Sequence, residues 1–281
     1  MSGLKSRRGA GLAEMIVALT LSAIVSAASA TALASAERYT RVSRATADAR
    51  RTLREAASVL TTELRVASSD SIRVRGDSAI DFLGMVGVSV VCVSSGAVLV
   101  LPPDVAASGA PYSSWRAVPE SGDIVALFDT AGGGSWKTAI VDSAATQTNP
   151  AGCKPASGLM SAADSVARRS VTRVVLRSSF GAAVAIVGTP VRVVRSGRYA
   201  LTRAADGSWS LSYRRCTGSS CAVAQPVAGP FAAPADSGTV FSGGTATSSV
   251  DVFLRTPPSV GLPREAAQLH IALRNRATGA P

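Results

Sequence analysis

RRGAGLAEMIVALTL, residues 7–21, sets a lone carboxylate, Glu14, at the head of an apolar run, and no charged residue follows until Glu37. At ~1.5 Å per residue, a helix over Met15–Ala36 spans the ~30 Å hydrocarbon core of a bilayer. A carboxylate at the edge of such a span is expensive in lipid and asks for a cationic partner. Lys5, Arg7 and Arg8 precede the span. The positive-inside bias therefore places the extreme N-terminus in the cytoplasm and everything after the span outside. A secretory signal peptide would use the same basic region, and ALASA, residues 32–36, supplies an A-x-A site before Glu37. Against that reading, the apolar run exceeds the ~7–15 residues of a signal h-region and feeds directly into a helix-compatible segment.

Beyond Ala36 the pattern turns amphipathic. Tyr39, Val42, Thr46, Ala49, Leu53, Ala56 and Leu60 recur at spacings of three and four, with Arg38, Arg41, Arg44, Arg50, Arg51 and Arg54 between them. No Gly or Pro interrupts residues 12–75, so one helix can run from the membrane to about Ala67, roughly 55 residues and ~80 Å. Its second half has a face to lay against a folded domain.

That domain reads as β-structure. After Ala67 the period shifts to two, in runs such as SIRVR (71–75), AIDFL (79–83), VSVVCV (88–93) and AVLVLPP (97–103). GDIVALFD (122–129), SWKTAIVD (135–142), VTRVVLRS (171–178), VRVVRSGRYALT (191–202), GSWSLSYRR (207–215), VDVFLRT (250–256) and LHIALRN (269–275) continue the pattern. The expectation is an α+β fold, the long helix packed on a large antiparallel sheet that can split in two. Residues 142–170 and 216–248, rich in Ala, Ser, Gly and Pro, read as long loops.

Composition excludes more than it identifies. With 47% hydrophobic residues the chain can bury a core. A net charge of +11 would suit nucleic acid, yet the arginines are spread along the chain with no clustered motif, so no nucleic acid is expected as a partner. Four cysteines, Cys92, Cys153, Cys216 and Cys221, fit an oxidising compartment. Cys216 and Cys221 flank a short Gly/Ser turn that can close a disulfide loop, which leaves Cys92 and Cys153 as the second pair. Four unpaired thiols are the alternative.

The N-terminal residues resemble the type IV pilin-like family. The carrying features are a basic leader ending in Gly9, Leu12 three places on, Glu14 at the fifth place, and an apolar helix turning amphipathic. The resemblance implies cleavage by prepilin peptidase between Gly9 and Ala10, N-methylation of Ala10, and leader recognition through Lys5, Arg7, Arg8 and Leu12. Cutting after Gly11 would put isoleucine in the fifth place, so only Gly9 gives the register. Ala10 and Gly11 replace the usual Phe or Met and Thr, and the helix-kinking proline of many members is absent. The organisation implied is a cytoplasmic leader (1–9), a transmembrane half-helix (10–36), an amphipathic half-helix (37–67) and an exported β-rich domain (68–281). Glu14 would pair with the Ala10 amine of a neighbouring subunit during assembly, since each buried charge needs the other. Ala23, Ser26, Ala27, Ala30 and Ala34 would let helices approach closely. The late layout, RYALTRAADGSWSLSYRR leading into QPVAGPFAA, is similar to minor pilins and pseudopilins of the PilW/GspJ type.

The expected protein is thus a structural subunit of a type IV pilus or type II secretion pseudopilus in the bacterial inner membrane. Its partners would be prepilin peptidase, other pilin-like subunits and membrane lipid. The alternative is a secreted or cell-surface β-rich binding protein released by signal peptidase. FDTAGGGSWKT, residues 128–138, fails as a phosphate loop: Trp136 precedes Lys137 where glycine is required, and a β-like run follows where a helix should start. It reads as a hairpin loop. The single histidine, His270, has no catalytic or metal-ligand spacing around it, so no enzyme, cofactor or metal is expected.

Overall fold

The apolar-to-amphipathic run forms one helix, α1 (Leu12–Val66), of 55 residues. The computed structural model describes residues 11–67, 71–106, 109, 111–129, 134–148, 153, 158–181, 184–218, 220–244, 248–258 and 264–273. The chain divides into two units, Met1–Arg51 with Pro258–Glu265, and Thr52–Pro257 with Ala266–Pro281.

In the first unit every residue from Gly11 to Arg44 is exposed, the apolar ones included. An i,i+4 pair, Glu37 with Arg41, lies on its surface, and Arg50 donates to Glu265 at 3.1 Å. The second unit starts where the helix stripe becomes buried. Leu53, Ala56, Leu60 and Leu64 are the helix's buried residues, so of the stripe expected from Tyr39 onward only its last part enters a core.

The strands are β1 (Arg73–Arg75), β2 (Ala79–Val90), β3 (Val93–Ser95), β4 (Val98–Leu101), β5 (Ser114–Trp115), β6 (Ile124–Asp129), β7 (Ser135–Gln147) and β8 (Val171–Leu176). They continue as β9 (Pro190–Arg203), β10 (Trp209–Thr217), β11 (Ser220–Cys221), β12 (Gln225–Phe231), β13 (Phe241–Gly244), β14 (Ser249–Arg255) and β15 (Ala266–Ala272). Two short helices, α2 (Ala162–Val166) and α3 (Pro234–Ser237), lie between them. The large sheet follows the order β1-β2-β9-β6-β7-β8-β4-β3, with β5 on β2, β10 on β9, and β11 and β12 on β10; β13-β14-β15 form a second sheet. Every pairing is antiparallel.

Two cores result. The first joins the four α1 side chains to Ile80 and Phe82 of β2, Tyr199 and Leu201 of β9, and Phe241, Val252 and Leu254 of the small sheet. The second gathers Leu99 and Leu101 of β4, Val125 and Leu127 of β6, Val174 of β8, and Val191 and Val193 of β9. Strand β7 serves both ends of the large sheet: its first part pairs with β6, and past a register shift between Val141 and Ser143 it pairs with β8.

Three sequence expectations need correcting. AIDFL and VSVVCV are not separate strands: residues 79–90 form β2, which carries a bulge between Met85 and Gly87. Gly87 is there for space, because a Cβ would lie 2.1 Å from Trp115 Cε3 and 2.6 Å from the Ser114 carbonyl oxygen. Residues 142–147 extend β7 instead of opening a loop. The stretch 216–248 holds β12 and β13: the prolines of QPVAGPF are tolerated because β12 pairs with β10 alone and so lies at an edge.

Candidate functional site

Assembly chemistry was expected at the helix start. Lys5, Arg7, Arg8, Gly9 and Ala10 lie outside the described residues. Gly11 begins the described chain, and its carbonyl accepts from the N–H groups of Glu14 (2.9 Å) and Met15 (3.3 Å). The Glu14 carboxylate in turn accepts from the Gly11 N–H at 3.3 Å. A third-position glutamate folded back this way satisfies one of the helix's orphan donors and complements its positive end. Leu12 follows at 79% exposure, and the whole apolar window behind it is unburied. This helix is long and apolar enough to cross a bilayer, as a membrane anchor or signal.

The cysteines pair as the spacing suggests. Cys216 and Cys221 face each other across β10 and β11 and form one disulfide; Cys92 and Cys153, Cα atoms 5.3 Å apart, form the other. Two disulfides point to an oxidising, extracytoplasmic environment for this unit.

Sequence reasoning missed a charge network in the second unit. Asp123, its side chain fully buried, holds Arg195 through both oxygens at 2.8 Å, takes Arg215 at 3.2 Å, and accepts the Glu120 N–H at 2.8 Å. Glu120 also pairs with Arg215. The bond to Asp123 raises the Arg195 guanidinium above its ordinary range, against the opposing effect of burial. Nearby, Arg116 reaches Glu63 of α1 at 3.1 Å, which ties the helix to the segment after β5. A second cluster sets Asp81 between Arg198 (2.5 Å) and Arg75 (2.8 Å). Burial pushes the Asp81 carboxyl up, but the hydrogen bonds from Arg198 and Arg75 outweigh it and hold it below the usual range. The sequence signal was Arg195, which falls on the inward phase of β9 after Val191 and Val193 and so had to find a partner.

Glu63, Arg116, Arg195, Tyr199 and Tyr213 line a cavity of about 290 Å³. Tyr199 stacks on Phe82 at 5.3 Å, and burial pushes both tyrosine hydroxyls above their ordinary range. The charged groups on the wall are already paired, so the arrangement fastens the helix to the sheet. His270 lies on the small sheet, its Nδ1 2.7 Å from Oδ1 of Asp251, its cross-strand partner. Among the described residues no three His, Cys, Asp or Glu side chains are placed to hold a metal. Compared with known proteins, the chain matches no family model, no curated protein and no solved structure.

Proposed function

We propose that the chain is a minor pilin or pseudopilin, a structural subunit of a type IV pilus or type II secretion pseudopilus, cleaved by prepilin peptidase between Gly9 and Ala10. The observation that carries this reading is one unbroken helix whose first half is apolar and uncovered and whose last turns supply four side chains to the core of a β-domain. Water does not favour leaving Ile16, Leu19 and Leu33 more than half exposed. A bilayer, and then the packed helices of a filament, would cover them.

Orientation rests on the disulfides. Arg38, Arg41 and Arg44 follow the span about as closely as Lys5, Arg7 and Arg8 precede it, so basic charge alone is balanced. The two disulfides tip that balance toward an inner-membrane protein with a cytoplasmic leader and an exported domain. Glu14 then has two successive tasks. Before assembly it caps its own helix through Gly11, a residue that remains after cleavage. In the filament it would turn to the Ala10 amine of a neighbour.

Mass spectrometry of the mature N-terminus tests the proposal. The expected species begins with N-methylated Ala10. A chain beginning at Glu37 would refute the proposal in favour of a signal-peptidase-released secreted or surface binding protein. Glu14→Ala and Glu14→Gln are expected to be cleaved normally yet fail to crosslink to other pilin-like subunits in membranes; normal incorporation of both would leave Glu14 as a helix cap alone.

A further inference from the structure

The large sheet is apolar on both faces where β2, β9, β6 and β7 lie side by side. Inward, Val125, Leu127, Val191 and Val193 are buried in the second core. Outward, the middle row of cross-strand partners is Val88–Arg192–Ala126–Thr138, flanked by one row ending in Trp136 and another ending in Ile140. Apart from Arg192 and Thr138, these outward rows carry no polar side chain. Val88, Trp136 and Ile140 are 43%, 38% and 41% exposed. An antiparallel sheet with one covered face ordinarily turns polar residues to water, and an uncovered apolar face marks an interaction surface.

Two features say what covers it. The first is charge. The Arg192 guanidinium sits 4.4 Å from the Trp136 ring centroid, and among the described residues no carboxylate lies within ion-pair distance of it. A cation held over an aromatic ring inside an apolar surface is set to meet an anion from outside. A second copy would bring another domain of the same positive charge, since the chain carries +11. The second feature is area. Four strands ~4.8 Å apart and three rows at ~6.8 Å give about 400 Å² with side-chain margins. A stable free-standing complex needs ~800 Å² per partner. A face half that size holds a partner that something else keeps close, and anchorage in the same membrane does so by raising effective concentration.

We infer that this outward face docks the acidic extracytoplasmic domain of another membrane-anchored, pilin-like subunit, whose apolar side chains cover Val88, Trp136 and Ile140 and whose carboxylate meets Arg192. The inference rests on the proposed function and adds to it the surface and the charge of the neighbour.

The test uses the full-length chain in cells that make the whole assembly. A photoreactive benzoylphenylalanine replaces Val88 or Ile140, with Val166 on α2, 86% exposed, as the control position. The expected result is an adduct from positions 88 and 140 but not 166, containing a protein with an N-terminal apolar helix and an acidic exported domain. Arg192→Glu, an exposed change, should lower the adduct yield by at least about ten-fold while leaving the melting temperature of the chain unaltered. The inference is overturned by no adduct from either position, by adducts with a second copy of this chain or with lipid, by equal capture at position 166, or by indifference to Arg192→Glu. The mature N-terminus read from the same preparation separates the two levels. Methylated Ala10 with a silent face removes the docking surface alone, whereas a start at Glu37 removes the subunit reading beneath it.

Discussion

Asp123→Ala removes one acceptor from four donors. Arg195 and Arg215, with side chains only 19% and 26% exposed, would keep Glu120 as their remaining carboxylate, and the Glu120 N–H would lose its partner. Breaking one side of a buried ion pair costs about 3–5 kcal/mol, because the surviving charge stays desolvated. Glu120 is 53% exposed and free to move toward the two guanidinium groups, which places the expected loss near the lower end, ~3 kcal/mol. In a domain of this size each kcal/mol lowers the melting temperature by ~2–4 °C, so a drop of roughly 6–12 °C is expected. Asp123→Asn should fare no better, since it turns an amide donor toward a guanidinium. Arg195→Met in the Asp123→Ala background removes the stranded charge, and the double variant should be more stable than the sum of the single losses by more than ~1 kcal/mol. The assay is thermal unfolding of the detergent-solubilised full chain followed by tryptophan fluorescence. A shift under about 2 °C for Asp123→Ala, or strict additivity in the cycle, would refute the view that a desolvated pair fastens β6 to β9 and β10.

Removing the Cys92–Cys153 bridge, which spans 61 positions, should cost ~4 kcal/mol, and removing Cys216–Cys221, which spans 5, only ~2, by the loop-entropy relation; equal losses in urea titrations of the two double-serine variants would contradict that ordering. Gly87→Ala drives a methyl into the Trp115 ring and the Ser114 carbonyl, so β5 should leave the edge of β2, with a red-shifted Trp115 emission and a loss of about 1–3 kcal/mol. Tyr199 and Tyr213 stay neutral in the folded state above the pH near 10 at which they ionise when unfolded. The folded state therefore binds more protons there, and stability should be full below pH 10 and fall as pH rises beyond it; Tyr199→Phe should flatten that slope in urea midpoints measured from pH 9 to 11.

Much of this architecture was legible from the sequence because its signals are long and periodic. The uninterrupted run from Leu12 to the neighbourhood of Ala67 could hardly be anything but a helix, and strands such as VTRVVLRS alternate strongly enough to be read in isolation. Cys216 and Cys221 paired as expected because a turn brings them into register. The failures came where one residue carries two meanings. Gly84 and Gly87 look like a turn but make room for Phe82 and Trp115 within a strand, and the prolines of QPVAGPF look like loop residues but sit on an edge strand. The charge network was hidden because Asp123 and Arg195 are 72 positions apart, and only the pairing of β6 with β9 brings them together. The N-terminal expectations fall on Lys5, Arg7, Arg8, Gly9 and Ala10, outside the described residues, and their chemistry rests on the Gly9–Glu14 spacing.

Strand β9 runs through both cores, giving Val191 and Val193 to one and Tyr199 and Leu201 to the other, and β2 beside it does the same with Val86 on one side and Ile80 and Phe82 on the other. Neither core can loosen without pulling on a strand that the other still grips. The exported domain should therefore melt as one calorimetric unit, and the amide hydrogens at the centre of β9 should exchange with solvent only when the whole domain opens.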